Sequence, residues 1–186
     1  MPGPKRIEAY AIVSDDGMLA DANRHIPDSM QIEADQKFFQ DGLDRAAAIV
    51  QGRHSYEGGP QAAERLRLVM TRRIDALAPD PAHAKSLLWN PNGATLEQAW
   101  TRLGARDGAL AVIGGPEVYE HFLRVGYDIF HLSRAAGVRV PGGRPVFPEI
   151  GPGRTPEDVL ARHGLKPGPR RVLDASAGAT LVTWSR

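Results

Sequence analysis

Apolar residues fall along this chain in short runs separated by longer stretches of mixed character. Ile7 to Ser14 (Ile-Glu-Ala-Tyr-Ala-Ile-Val-Ser), Ala46 to Val50, Arg67 to Met70, Ser86 to Trp89, Leu110 to Ile113 and Ile129 to Ser133 have the length and content of buried strands. The first stops at Asp15-Asp16-Gly17, a turn signal. Ile32, Asp35, Phe38 or Phe39 and Leu43 recur at helical spacing and predict a helix over 32–43. Thr95, with Glu97 and Gln98 in the first turn, predicts a capped helix through Leu103. Gly114-Gly115-Pro116 opens a further helix to Leu123. Ala179 to Trp184 alternates loosely and reads as a C-terminal antiparallel strand. Residues 18–31 read as a polar loop, 75–86 as a Pro/Ala-rich connector and Gly142-Gly143-Arg144-Pro145 as a turn. Residues 151–174 carry the least pattern and are expected to form a surface excursion.

Apolar strands alternating with helices argue for an α/β fold with a mostly parallel sheet covered on both faces. The late strands, joined without helices, add an antiparallel C-terminal edge. No repeat and no long linker divides residues 1–186, so one domain is expected.

Composition changes the picture mainly by exclusion. A chain of 186 residues with 42% hydrophobic and 24% charged residues is long enough for a core and an internal cleft. A net charge of +1 argues against nucleic acid or a membrane surface as a partner and favours a small-molecule substrate. No apolar run approaches the ~18 residues of a membrane span. The lead Met-Pro-Gly-Pro-Lys-Arg has no apolar signal core, so a cytoplasmic location is expected. Zero cysteines exclude disulfides, thiolate metal sites and cysteine nucleophiles. Gly 20 and Pro 15 exceed the roughly 12% that average usage gives the two together, so their positions carry meaning.

Several of those positions fall at strand ends. Gln51-Gly52-Arg53-His54-Ser55 follows one strand and opens a helical turn, broken at Gly58-Gly59-Pro60. Gly114-Gly115-Pro116-Glu117 follows another, and Thr71-Arg72-Arg73 a third. Helix starts present free N–H groups, glycines let a phosphate approach the backbone, and guanidiniums suit a phosphate monoester. Each signal alone is more often a plain turn or a solvated arginine pair. Three on successive strand ends favour an extended, multiply phosphorylated ligand such as a dinucleotide. Gly-x-Gly-x-x-Gly after the first strand is absent, so the common Rossmann arrangement is not expected.

Asp35 lies on or beside the apolar face of its helix. A half-buried acid there has a raised pKa and steers a proton or a cationic ring. The alternative is an ordinary first-turn acid favoured by the helix dipole. His25, His54, His83, His121, His131 and His163 show no metal-ligand spacing, and no Gly-x-Ser-x-Gly elbow is present. No metal is expected.

Ile113-Gly114-Gly115-Pro116-Glu117-Val118-Tyr119-Glu120-His121-Phe122-Leu123 resembles the Ile-Gly-Gly-x-x-Val-Tyr-x-x-Phe-Leu motif of the dihydrofolate reductase superfamily. Gly52-Arg53-His54-Ser55-Tyr56-Glu57 is similar to its Gly-Arg-x-Thr-Tyr/Trp-Glu motif, and Ile32 to Phe39 to its substrate helix. Phe147-Pro148 matches a Phe-Pro near the sheet edge, and the resemblance runs from about Ile7 to Ile150. It implies that superfamily's three-layer α/β/α fold and an NADPH-dependent reductase passing a hydride to a pterin-like substrate such as dihydrofolate. Gly52, Arg53, His54 and Ser55 would hold pyrophosphate and ribose. Thr71 and Arg72 would take the 2′-phosphate, and Gly114, Gly115, Pro116 and Glu117 would line the opposite wall. Asp35 falls on the catalytic carboxylate, Phe39 packs on the substrate and Ser133 bonds that carboxylate. Arg65 falls near the arginine that grips the folate glutamate.

Ser29 and Met30 depart from the usual Pro-Trp of dihydrofolate reductases, and Arg144-Pro145 from an Asp-Thr. Ser14-Asp15-Asp16-Gly17-Met18-Leu19-Ala20 instead resembles the Ser-x-Asp-Gly-x-Ile-Ala pattern of the C-terminal reductase domain of riboflavin biosynthesis proteins. That resemblance implies the alternative of a 5-amino-6-(5-phosphoribosylamino)uracil reductase, and with it a homodimer. A nucleotide-binding protein without turnover is the third alternative.

Overall fold

A computed structural model describes residues 3–186; Met1 and Pro2, the start of the polar lead, lie outside the described residues. The strands are β1 (Arg6–Val13), β2 (Met18–Ala20), β3 (Ala48–Gly52), β4 (Arg67–Met70), β5 (Leu77–Pro79), β6 (Ser86–Trp89), β7 (Ala109–Val112), β8 (Ile129–Ala135), β9 (Arg144–Pro145), β10 (Lys166–Asp174) and β11 (Ala179–Ser185). The helices are α1 (Glu33–Arg45), α2 (Leu96–Leu103), α3 (Pro116–Val125) and α4 (Pro156–Arg162). Nine strands form one sheet in the order β10-β11-β8-β1-β7-β3-β4-β6-β5, and β2 pairs with β9 in a small second sheet. From β8 to β6 every neighbour runs parallel. β5, β10 and β11 are antiparallel additions.

The strands are apolar on both faces because helices cover both. Along β1, Ile7, Ala9, Ala11 and Val13 point into the larger core cluster with Trp89, Trp100, Phe122 and Phe130. Tyr10 points the other way, joining Leu43 and Ile49 and packing against Phe38 and Phe39 of α1. The period of two along a strand produces this division. Helix α2 starts in a complete capping box between Thr95 and Gln98, as its sequence predicts, and stops at Gly104 in the left-handed region. Helix α3 begins with Pro116 directly after Gly115. No helix of the described residues is long and apolar enough to cross a membrane.

Four sequence expectations need correction. Residues 151–174 are more than a surface excursion. Thr155 and Asp158 close a second capping box that starts α4, whose Val159 and Leu160 are fully buried, and β10 follows as the sheet edge. The alternating signal of β10 is weak because seven of its nine residues are exposed. β11 is the C-terminal antiparallel strand as expected, but it is flanked on both sides and β10 forms the sheet edge. The loops at 18–31 and 75–86, and the turn at 142–145, contribute the short strands β2, β5 and β9. No helix opens at Gly52–Ser55. The next helical residues are a single 3₁₀ turn at Ala62–Glu64, because Gly58 and Gly59 both take positive φ and break the path.

Candidate active site

The C-terminal ends of the parallel strands open into a cavity of about 1280 Å³ between the sheet, α1 and the loops after β3, β4 and β7. Asp35, Phe39, Ser133, Gly52, Arg53, His54, Ser55, Thr71, Arg72, Gly115, Pro116 and Glu117 all line it. Residues distant in sequence therefore meet in one place.

At the inner end, α1 brings Asp35 over the strands. The residue is 9% exposed and pairs with no cation among the described residues. Burial pushes its carboxyl above the usual range, and the neighbouring Ser133 hydroxyl pulls it partly back. Tyr119, fully buried, is itself raised by burial and by the charge of Asp35. Its hydroxyl donates to the carbonyl of Tyr10, tying α3 to β1 beneath the site. An aromatic floor extends from there. Tyr10 stacks on His131 at 4.7 Å between ring centres, and Phe38 meets His131 edge-on at 5.2 Å.

The outer end is built from glycine and arginine. Gly114 has φ +97°, which only glycine adopts freely, and its carbonyl accepts from the Gly52 N–H at 2.8 Å. The β3 and β7 loops are thereby joined. A Cβ placed on Gly115 would meet nothing closer than Glu117 Oε2 at 4.0 Å, so this backbone faces open space in the cleft. Thr71 is buried, its hydroxyl accepting from the Arg73 N–H at 3.1 Å. Arg53, His54, Arg72 and Arg73 are exposed around this end. His54 is lowered first by Arg24, then by slight desolvation and by Arg53, Arg73 and Arg144.

Arg65 does not join the others. It lies outside this cavity, 9% exposed. Its guanidinium donates to Asp44 at 2.7 Å and Gln40 at 2.8 Å and pairs with Glu57 at 3.4 Å. A guanidinium already held by two carboxylates is structural. Arg67, which sequence reasoning passed over, donates twice to Glu57 at 2.8 Å and once to Gln51 at 3.0 Å. The Glu57 side chain is wholly buried, so the last residue of the Gly-Arg-His-Ser-Tyr-Glu motif is the anchor that shapes its loop. The Ser14–Ala20 motif is likewise partly scaffold. The Ser14 hydroxyl donates to Asp16 at 2.6 Å and accepts from the Met18 N–H at 3.0 Å, while Asp16 also accepts from the Val140 N–H. Its last two residues, Leu19 and Ala20, reach the cavity wall. Tyr10, His131, Arg24 and Arg144 were also missed. Tyr10 and His131 sit in apolar runs where only strand parity reveals the face, and the two arginines sit in stretches read as loop or turn.

No protein-family model matches the chain, and no curated protein matches it. Solved structures do. A pyrimidine reductase-like protein from Corynebacterium diphtheriae aligns at TM-score 0.67 and 16% identity, covering 97% of this chain and 91% of that one. A protein assigned to riboflavin biosynthesis in Shewanella sp. PV-4 aligns at 0.65 and 17% over 97% and 98%. The dihydrofolate reductase of Enterococcus faecalis, solved in complex with NADP(H), aligns at 0.64 and 17% over 97% and 96%. The fold is the dihydrofolate reductase-like one, a fold that reductases use.

Proposed function

We propose that this chain is an NADPH-dependent reductase that passes a hydride to a flat, pterin-like ring such as that of dihydrofolate. One observation carries the reading. A buried carboxylate, Asp35, sits at the inner end of a cavity whose outer end is open glycine backbone and guanidinium. That donor set fits a dinucleotide: the open face of Gly115 admits a phosphate, and Arg53, His54 and Ser55 stand beside it. When bound, NADPH supplies the hydride. The chain supplies placement and charge. Gly52 to Ser55 and Gly114 to Pro116 would hold the diphosphate between two loops, and Thr71 and Arg72 would take the 2′-phosphate. Asp35, raised by burial, carries a proton beside the ring or accepts from its N–H groups, with the Ser133 hydroxyl orienting it. Phe39 packs on the ring's edge and keeps water from it.

Arg65 favours a second substrate. With its guanidinium spent on Asp44, Gln40 and Glu57, it grips no folate carboxylate. A pyrimidine of the riboflavin-pathway type, 5-amino-6-(5-phosphoribosylamino)uracil, needs no such grip. A nucleotide-binding protein without turnover makes no use of a buried, unpaired acid, which is why the reductase reading is preferred.

Thermal shift tests the cofactor. At a hundred times its dissociation constant, NADPH should stabilise the fold by about 2.7 kcal/mol, and NADH at the same concentration by less. Arg72→Ala should weaken NADPH at least tenfold and leave NADH near wild type, because a charge-assisted bond to the 2′-phosphate is lost. No stabilisation by NADPH contradicts the reading; equal loss for both dinucleotides moves the 2′-phosphate site elsewhere.

A further inference from the structure

The loop between β2 and α1 closes on itself at residues 21–25. Asp21 accepts through Oδ1 from the N–H groups of Asn23 at 2.8 Å and His25 at 2.9 Å. Its own N–H donates to the His25 carbonyl at 2.9 Å, and Arg24 N–H donates to the Asp21 carbonyl at 3.1 Å. The result places Arg24 at φ +69°, the one non-glycine residue in the left-handed region among the described residues. Long side chains avoid that conformation, yet here four hydrogen bonds, two between backbone groups and two to the Asp21 carboxylate, impose it on an arginine that lines the cavity.

Arg144 reaches the same space from β9, which pairs with β2 through Ala20. Its guanidinium lies 3.4 Å from Glu117 Oε1, and the side chain is 25% exposed. A carboxylate at the first turn of α3 repels a phosphate; the ion pair offsets that charge and holds Arg144 at the cleft. His54 lines the same cavity and is depressed first by Arg24 and also by Arg53, Arg73 and Arg144. Arg24, Arg53 and Arg73 form no ion pair among the described residues, and Glu117 is the one acid paired to an arginine of this cluster. Like charges converging without a counter-ion make a site for an anion of more than one charge.

We propose that Arg24 and Arg144 form a second wall of the anion site, closing from the β2 side on a diphosphate whose other side rests on Gly52–His54 and the start of α3. The proposal rests on the dinucleotide reading above and adds to it two arginines from stretches that the sequence presents as loop and turn. It assigns Glu117 to bracing Arg144 rather than to the ligand.

Calorimetric titration of the full chain with NADPH, NADH and inorganic pyrophosphate, on wild type, Arg24→Gln, Arg144→Gln and the double variant, tests it. Each single change should weaken both dinucleotides at least tenfold and by the same factor, weaken pyrophosphate as well, and flatten the dependence of binding on salt. Variants that bind both dinucleotides within twofold of wild type overturn the proposal. So does a loss confined to NADPH, which would put the two arginines on the 2′-phosphate. Where Arg144→Gln lowers the melting temperature enough to obscure binding, Arg24→Gln decides, since its side chain takes part in no ion pair of the fold. If wild type binds neither dinucleotide, the cofactor reading fails and the pyrophosphate arm judges the clamp: binding lost in the variants supports it, and no binding overturns it.

Discussion

Asp35 shows how one residue joins stability to chemistry. Its folded-state pKa is raised by burial, so the folded protein holds more protons than the unfolded chain between the ordinary aspartate value and the raised one. Stability therefore falls as pH rises through that window, and above it the ionised carboxylate stays a burden on the fold. Asp35→Asn should melt higher than wild type at neutral pH, with the gain vanishing below about pH 3.9, where Asp35 is protonated in both states. The same variant should show turnover roughly 100-fold or more below that of wild type and should lack the rise in rate expected of wild type as pH is lowered. A variant that turns over like wild type removes Asp35 from the mechanism. Glu57 shows the opposite economy. Its wholly buried carboxylate is met by Arg67 twice and by Arg65 once. Glu57→Gln leaves the buried Arg67 guanidinium uncompensated, while Arg65 keeps Asp44, and should cost about 3–5 kcal/mol in denaturant unfolding.

At the scale of elements, α1 places the site and its seat on β1 is tight. A Cβ on Gly42 would fall 2.5 Å from the Tyr10 ring. Helix propensity alone would favour alanine there by about 1 kcal/mol. Overpacking costs about 1–3 kcal/mol and should win. Gly42→Ala is expected to lower the melting temperature, and by lifting α1 to raise KM through Asp35 and Phe39; a stabilised, fully active variant would contradict this packing. Elements with a strong local signal were legible in sequence. The apolar runs of β1, β3, β4, β6, β7 and β8, the Thr95 cap of α2 and the Gly-Gly-Pro start of α3 each carry their own chemistry. β2, β5 and β9 were not, because two or three residues in a strand show no periodicity. β10 was hidden by exposure, since a strand with little to bury has no alternation to display. The expected helix after Gly52 failed for a tertiary reason: Glu57, drawn inward by Arg67, pulls the segment off a helical path before Gly58 and Gly59 end it.

For the molecule as a whole, parallel strands with helices on both faces open their C-terminal ends to one cavity, and the site residues read from three separate motifs converge there. That convergence was legible because motifs at strand ends share an edge once the sheet is parallel. The misplacement of Arg65 was not, because sequence spacing gives a position along the chain and not the carboxylates that surround it in space. The near-neutral total charge likewise hides a cationic outer cleft, balanced by acids elsewhere. This cavity is proposed to perform NADPH-dependent reduction. Consumption of NADPH by the purified chain, followed with dihydrofolate and in parallel with 5-amino-6-(5-phosphoribosylamino)uracil, tests it most directly. Enzyme-dependent oxidation with one of the two, lost in Asp35→Asn, is expected; oxidation with neither would contradict a reductase role for this cavity.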